Sequence, residues 1–399
     1  MTDTASALDW AEDYDIFDRR FVQDPYPITA ELRAHAPLAH TGRWGGSWLP
    51  TRYEDIQTIA HDVEHFSSVE ITVAPIPATY DEHGNRRRSV IASDPPEHTP
   101  ERRILLPFFS PKAVQRYEEG TRELCNRFID GFIADGRVDA AERYARQLPP
   151  RIIARILGID PDRADDFTEW VQGVLELGLT DPELREKYRV LINDFFREEI
   201  ERRKTEPGDD LISWLLSQEI DGKPLGMHIV EANVSLMLIA GIDTTWSSIG
   251  SALWHLATHP EDTAKLVANP ELLPNAIEEF LRAYSPVTMA RIATSEVTIG
   301  GRTIQPGDRV LLAFPHANRD PEVFEDPDEV DIERQHNRHI AFGVGIHRCA
   351  GSNLARMEMR IALETWLARI PRFRLADADA VTWSGGQVRG PRHLPIVFE

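Results

Sequence analysis

The decapeptide Phe342-Gly343-Val344-Gly345-Ile346-His347-Arg348-Cys349-Ala350-Gly351 concentrates the chemistry of this chain. Its glycines permit turns at positive φ and close approach of a flat ligand to the backbone. Cys349 stands just before a helix expected over Ser352 to Leu367, where free amide N–H groups and the helix dipole favour an anion. Such a place lowers a thiol pKa and favours the thiolate, a metal ligand or nucleophile. Other readings compete. A lone cysteine is most often a small buried hydrophobe. His347 and Cys349 would suit zinc, but no second pair of suitable spacing lies nearby. A nucleophilic Cys349 would need a base, and His347 is a candidate.

Three further groups carry polar residues where bland spacing would not put them. In Ala240-Gly241-Ile242-Asp243-Thr244-Thr245 the small pair leaves space on one helix face, and Thr244 can bond less tightly to its own helix. Asp243, unpaired in so apolar a helix, is costly and asks for a functional reason. Glu279 and Arg282 lie three apart on one helix face, with Arg334 as a third member; alone, such a pair is usually a surface ion pair worth little. His98 and Arg102, four apart after Asp94-Pro95-Pro96-Glu97, face one way and can both reach a carboxylate. Pro100 is tolerable there if the helix only begins nearby.

The elements that must position these residues are mostly helical. Apolar residues recur at three- and four-residue spacing over Leu124 to Ala134, Arg151 to Leu157, Leu184 to Lys204 and Leu211 to Glu219. His228 to Ala257 reads as one long helix, apolar nearly all round and therefore buried. Pro274 to Tyr284 is another, stopped by Ser285-Pro286. Short strands follow around Val297-Thr298-Ile299, Arg302-Thr303-Ile304 and Val310-Leu311-Leu312, with turns between. The expected class is mainly α with a smaller β portion. It reads as a single domain over residues 1–399, with a β-containing N-terminal part to about 90.

Composition narrows the function. Hydrophobic residues make up 42% of the 399, enough for a large core and too many for a disordered chain. A formal charge of -21 argues against nucleic-acid binding. No signal-peptide pattern and no apolar run long enough to span a membrane is evident, so no membrane association is expected. Two cysteines, Cys125 and Cys349, make a poor disulfide framework and fit a cytoplasmic, reduced protein.

The decapeptide resembles the haem-binding signature of cytochromes P450 at every fixed position. Ala240 to Thr245 looks like the family's oxygen-activation motif, and Glu279-Phe280-Leu281-Arg282 matches its buried Glu-x-x-Arg. Within the family the chain is most similar to haem domains of self-sufficient bacterial P450s, without their fused reductase. The resemblance implies a P450 fold with haem b between the long central helix and the helix after the cysteine loop. Cys349 would ligate the iron. Ala240, Phe342, Gly343 and Gly351 would lie against the haem, while His98, Arg102, Arg291 and His339 would meet its propionates. Thr244 and Asp243 would deliver protons to reduced oxygen, and Glu279, Arg282 and Arg334 would brace the fold.

The implied activity is a haem-thiolate monooxygenase that uses O₂ to hydroxylate or O/N-dealkylate a small hydrophobic or aromatic substrate. Electrons would come from a separate ferredoxin and ferredoxin reductase, docking near Arg102, Arg103, Arg348, Arg356 and Arg360. By helix phase, Leu236, Ile239 and Ala240 line the pocket with Val287, Thr288 and Met289. Residues 69–78 and 172–179 form its roof, where Glu70 could meet an amine. A peroxide-driven enzyme of the same fold is the alternative, and a non-catalytic haem sensor a weaker one.

Overall fold

The structure is a computed structural model that describes residues 9–80, 83–84 and 86–399. Helix accounts for 54% and strand for 13%, the mainly α class expected. The helices that bear on the site are α1 (His98–Leu105), α2 (Glu118–Asp130), α3 (Leu148–Leu157), α4 (Ala164–Leu175), α5 (Pro182–Thr205), α6 (Met227–Thr258), α7 (Leu273–Ala283) and α8 (Ser352–Arg369).

Local chemistry sets their ends. Asp181 caps α5 by accepting from the Glu183 and Leu184 amides, and Pro182 takes the first helical position, where no N–H is needed. Gly158, at φ 69°, closes α3. Pro100 falls within the first turn of α1, as that helix requires.

Helix α6 runs 32 residues through the middle. It packs against α3, α4, α5, α7 and α8. Trp246, Ile249, Leu253 and Leu256 are essentially inaccessible to water. Each such side chain stabilises the fold by roughly 1.5–3 kcal/mol through burial. Being surrounded, α6 is apolar on all sides, so any polar residue on it must find a partner.

The main sheet combines β1 (Leu38–Thr41), β2 (Ser47–Pro50), β3 (Phe66–Ser67), β4 (Thr288–Ala293) and β5 (Arg309–Ala313) in the order β1-β2-β5-β4-β3. Strands β4 and β5 are antiparallel, with Leu311 opposite Ala290, whereas β2 and β5 are parallel. The N-terminal strands are completed by residues more than 220 positions later. This long-range pairing carries β4 from the end of α7 to the wall of the central cavity. Among the described residues, no helix is long and apolar enough to cross a membrane.

Candidate haem and oxygen site

The cysteine loop is built by short backbone bonds. The Cys349 amide donates to the Phe342 carbonyl at 2.8 Å, and the Gly343 amide to Ile340 at 2.8 Å. Gly343 and Gly345 take φ of 66° and 72°, the turns anticipated for them. At Gly345 an added Cβ would come within 2.8 Å of the Ala60 carbonyl oxygen, so the loop can lie on the preceding wall only with glycine there. The Gly351 amide faces the sulfur and lowers its pKa, as do Arg102, Arg348 and Arg356. Burial raises the thiol by more, so the net direction is upward, opposite to that expected from the helix N-terminus. Both cysteines are free; Cys125 is buried, and its thiol is pushed up to about 12 by burial.

Cys349 is exposed only in the sense that it borders an internal cavity of about 270 Å³. Ala240 and Thr244 of α6 border the same cavity, as do Phe342, Gly343 and Gly351. The walls beyond them are mainly apolar and include Leu236, Ile239, Val287 and Met289. Thr288 is not among them. It lies between Val287 and Met289 at the start of a strand, where successive side chains point to opposite faces. Residues 71–72 and Leu175 supply part of the roof, as anticipated. Glu70 is not among the wall residues and is ion-paired to Arg309 at 2.6 Å.

One edge of the cavity is cationic and short of partners. Arg291 is 5% exposed, and its one side-chain bond goes to the Ala290 carbonyl, so burial pulls its pKa down to about 10. His98 is 2% exposed and not itself on the cavity wall, with both ring nitrogens unpartnered. His347 lies 4.4 Å from the His98 ring and bonds Ser68 through Nε2, leaving Nδ1 without a partner. Burial, then the charges of Arg291, His98 and Arg102, hold its pKa to about 3. Arg102 donates to the Arg348 carbonyl. Two guanidinium groups and two imidazoles with unused donors, beside a cysteine, suit a flat ligand with two carboxylates.

His339 is not in this set. Its Nε2 is 3.0 Å from Glu278, which also receives a bidentate bond from Arg356 at 2.6 Å. His347, not His339, borders the cavity beside Arg102 and Arg291. The signal was in the decapeptide itself, where His347 stands two residues from Cys349.

On α6 the structure changes one expectation and completes another. The Thr244 hydroxyl donates to the Ala240 carbonyl at 2.9 Å, and the helix runs unbroken. The space left by Gly241 is filled by α3: a Cβ there would lie 2.3 Å from Ile153 Cδ1. Asp243 is 1% exposed but not unpaired. Arg392 Nη2 donates to its Oδ1 at 2.6 Å, Arg392 Nε binds Glu176 at 2.8 Å, and the guanidinium lies 4.1 Å from the Trp246 ring. Asp243 Oδ2 has no partner, and burial raises the pKa of the group against the opposing effect of Arg392. Neither Arg392 nor Glu176 carries a local motif that would announce it.

The brace is complete. Arg282, wholly buried, makes a bidentate bond to Glu279 at 2.7 and 2.8 Å and reaches the carbonyls of Asn318, Pro327 and Glu329. Arg334 Nε meets both Glu279 oxygens at 3.1 Å, and Asn337 adds a bond of 3.0 Å.

Comparison with known proteins agrees with this geometry. A family model described as cytochrome P450 matches residues 177–377. The chain is 34% identical to the vitamin D(3) 25-hydroxylase of Pseudonocardia autotrophica, covering 97% of each chain. This chain is a member of the cytochrome P450 family. It is likewise 34% identical to the 6-deoxyerythronolide B hydroxylase of Saccharopolyspora erythraea, over 96% of this chain and 98% of that one. The solved P450 PksS of Bacillus subtilis superposes with a TM-score of 0.88 at 29% identity, over 97% of this chain and all of that one. CYP109Q5 from Chondromyces apiculatus gives 0.87 at 32%, covering 97% and 98%. P450 enzymes are haem-thiolate monooxygenases with haem b as cofactor, and this chain is one. The unpartnered imidazole and guanidinium donors beside Cys349 fit that group.

Proposed function

We propose that this P450 hydroxylates or O/N-dealkylates a small, neutral, apolar or aromatic substrate with electrons from a separate ferredoxin and its reductase. The observation that carries the reading is the sharing of one apolar cavity by Cys349 on one wall and Thr244 on the other. Cys349 would bind the iron through sulfur, with the Gly351 amide moderating its charge. Arg102, Arg291, His98 and His347 would receive the propionates. When bound, the haem supplies reductive activation of O₂ and transfer of one oxygen atom to substrate, the other leaving as water.

The protein manages the protons. Thr244 presents a hydroxyl at the cavity wall, which becomes a donor there by turning from the Ala240 carbonyl. Asp243 keeps one oxygen on Arg392 and one free, and its raised pKa suits a group that takes up and passes on a proton.

Committed polar groups support a neutral substrate. Thr72 Oγ1 donates to Ala74 at 2.8 Å, Ser248 to the Thr244 carbonyl at 2.9 Å, and Glu70 is held by Arg309. No carboxylate or ammonium anchor remains in these stretches, so burial of apolar area supplies the affinity. For electron delivery, Arg356 and Arg360 are tied to Glu278, Glu118 and Glu364, which leaves exposed Arg103, Lys112 and Arg348 to meet an acidic partner.

The test is reconstitution with a ferredoxin, its reductase and NAD(P)H. With Thr244→Ala, NAD(P)H consumption continues while hydrogen peroxide replaces most product. Fully coupled turnover by Thr244→Ala contradicts the assigned role.

A further inference from the structure

The roof of the cavity around residues 69–78 has no regular secondary structure, yet it borders the substrate space through Ile71 and Thr72. One side chain from the other end of the sequence ties it to the facing walls of the cavity. Gln387, 4% exposed, accepts from the Val73 amide through Oε1 at 3.0 Å. Its Nε2 donates to the Thr288 carbonyl at 2.9 Å, lies 3.3 Å from the Ile71 carbonyl and touches Met289 Sδ at 3.2 Å. One carboxamide therefore joins the roof loop, the start of β4 and the C-terminal turn, and all three segments line the cavity.

The turn that presents Gln387 is itself rigid. The Ser384 hydroxyl bonds the Val388 and Gly390 carbonyls and accepts from the Gly390 amide, closing the loop on itself. The Thr288 amide donates to the Gln387 carbonyl at 3.0 Å, and the Arg389 amide to Pro286 at 2.8 Å, so the turn is stitched to β4 by backbone as well. Among the described residues the roof loop is also tied by Ala290 N, which donates to Ile71 O at 2.9 Å, and by Arg309, which donates to Thr72 O at 2.7 Å and to Glu70 at 2.6 Å. At its start Arg86 donates to Val69 O at 3.0 Å, and the Val69 amide to Ser67 Oγ at 3.1 Å; of the side chains named, Gln387 alone joins the loop to both β4 and the C-terminal turn. A loop without a β ladder is held in register by such individual bonds, and each one lost frees backbone polar groups at the cavity wall.

We infer that Gln387 is a positioning residue for substrate selection in the monooxygenase reaction: its carboxamide sets the distance between the roof loop and β4, and so the shape of apolar molecule accepted above the haem. The inference rests on the haem and substrate sharing this cavity. It does not depend on which substrate is natural.

The haem-loaded full chain is titrated spectroscopically with imidazole, which needs only the iron, and with 4-phenylimidazole, whose ring needs the walls. Gln387→Ala weakens 4-phenylimidazole about tenfold and leaves imidazole within about twofold. Amide hydrogen exchange speeds up in peptides spanning 69–78 and is unchanged in α8. Gln387→Glu, which keeps the acceptor for Val73 and loses both donors, shifts the two azoles in the same unequal way. It carries the test if the alanine variant fails to fold. An equal change for both azoles, or unaltered exchange in 69–78, overturns the inference. Loss of all azole binding in both variants would instead count against the shared cavity itself.

Discussion

Arg392 reaches Asp243 across 2.6 Å from a position 149 residues further along the chain. The approach depends on Gly390, where a Cβ would lie 2.3 Å from that of Ser247 and hold the C-terminal segment off α6. A buried carboxylate on the central helix is thus matched by the one guanidinium that also binds Glu176 at the end of α4 and covers Trp246. Asp243 and the end of α4, next to the cavity-lining Leu175, share a partner.

Removing that partner leaves a charge uncompensated in the interior. Arg392→Ala is expected to lose about 3–5 kcal/mol of stability in urea unfolding followed by circular dichroism. Adding Asp243→Asn to it restores part of the loss, because the remaining group is then neutral. A cost below about 1 kcal/mol for Arg392→Ala would mean that the pair is not buried as described.

The two histidines near the cysteine loop are separable by haem retention. His347→Leu removes an imidazole from the cationic edge and speeds haem loss to apomyoglobin about tenfold. His339→Leu removes the bond to Glu278 and the one from the Ala341 amide but no group of that edge, and leaves the rate within about twofold. The reverse ranking would return His339 to the propionate edge.

His316 gives a pH dependence that does not involve the haem. It is buried against Phe21, and burial, then Arg33, Arg389 and Arg319, lower its pKa to about 3. Its folded pKa lies below the ordinary imidazole value of 6.5, so its contribution is present above pH 6.5 and is lost as the pH falls toward 3. Between pH 7 and pH 5 the His316→Leu protein therefore loses about 2 kcal/mol less stability than the parent. Equal losses in urea titrations at the two pH values would show that His316 is protonated in the fold.

Much of this was legible in sequence because it is local. The cysteine loop needs glycines at fixed offsets, α6 needs its apolar faces and small residues, and Glu279 with Arg282 lies within one helical turn. What escaped reading depends on tertiary approach. Nothing near Arg392 says that it will meet Asp243, and nothing near Gln387 says that it will hold Val73. Thr288 was misassigned because a strand turns alternate residues away, which matters only once β4 is known to start there. The thiol of Cys349 followed burial rather than the helix end, since the sulfur is enclosed by protein on every side but the cavity.

The most direct measurement is the spectrum of the reduced, CO-bound protein. Thiolate ligation by Cys349 predicts a strongly red-shifted Soret band, absent from Cys349→Ser. A Soret band typical of histidine ligation in the unaltered chain, or a red-shifted band that survives Cys349→Ser, would contradict the assignment of Cys349 to the iron.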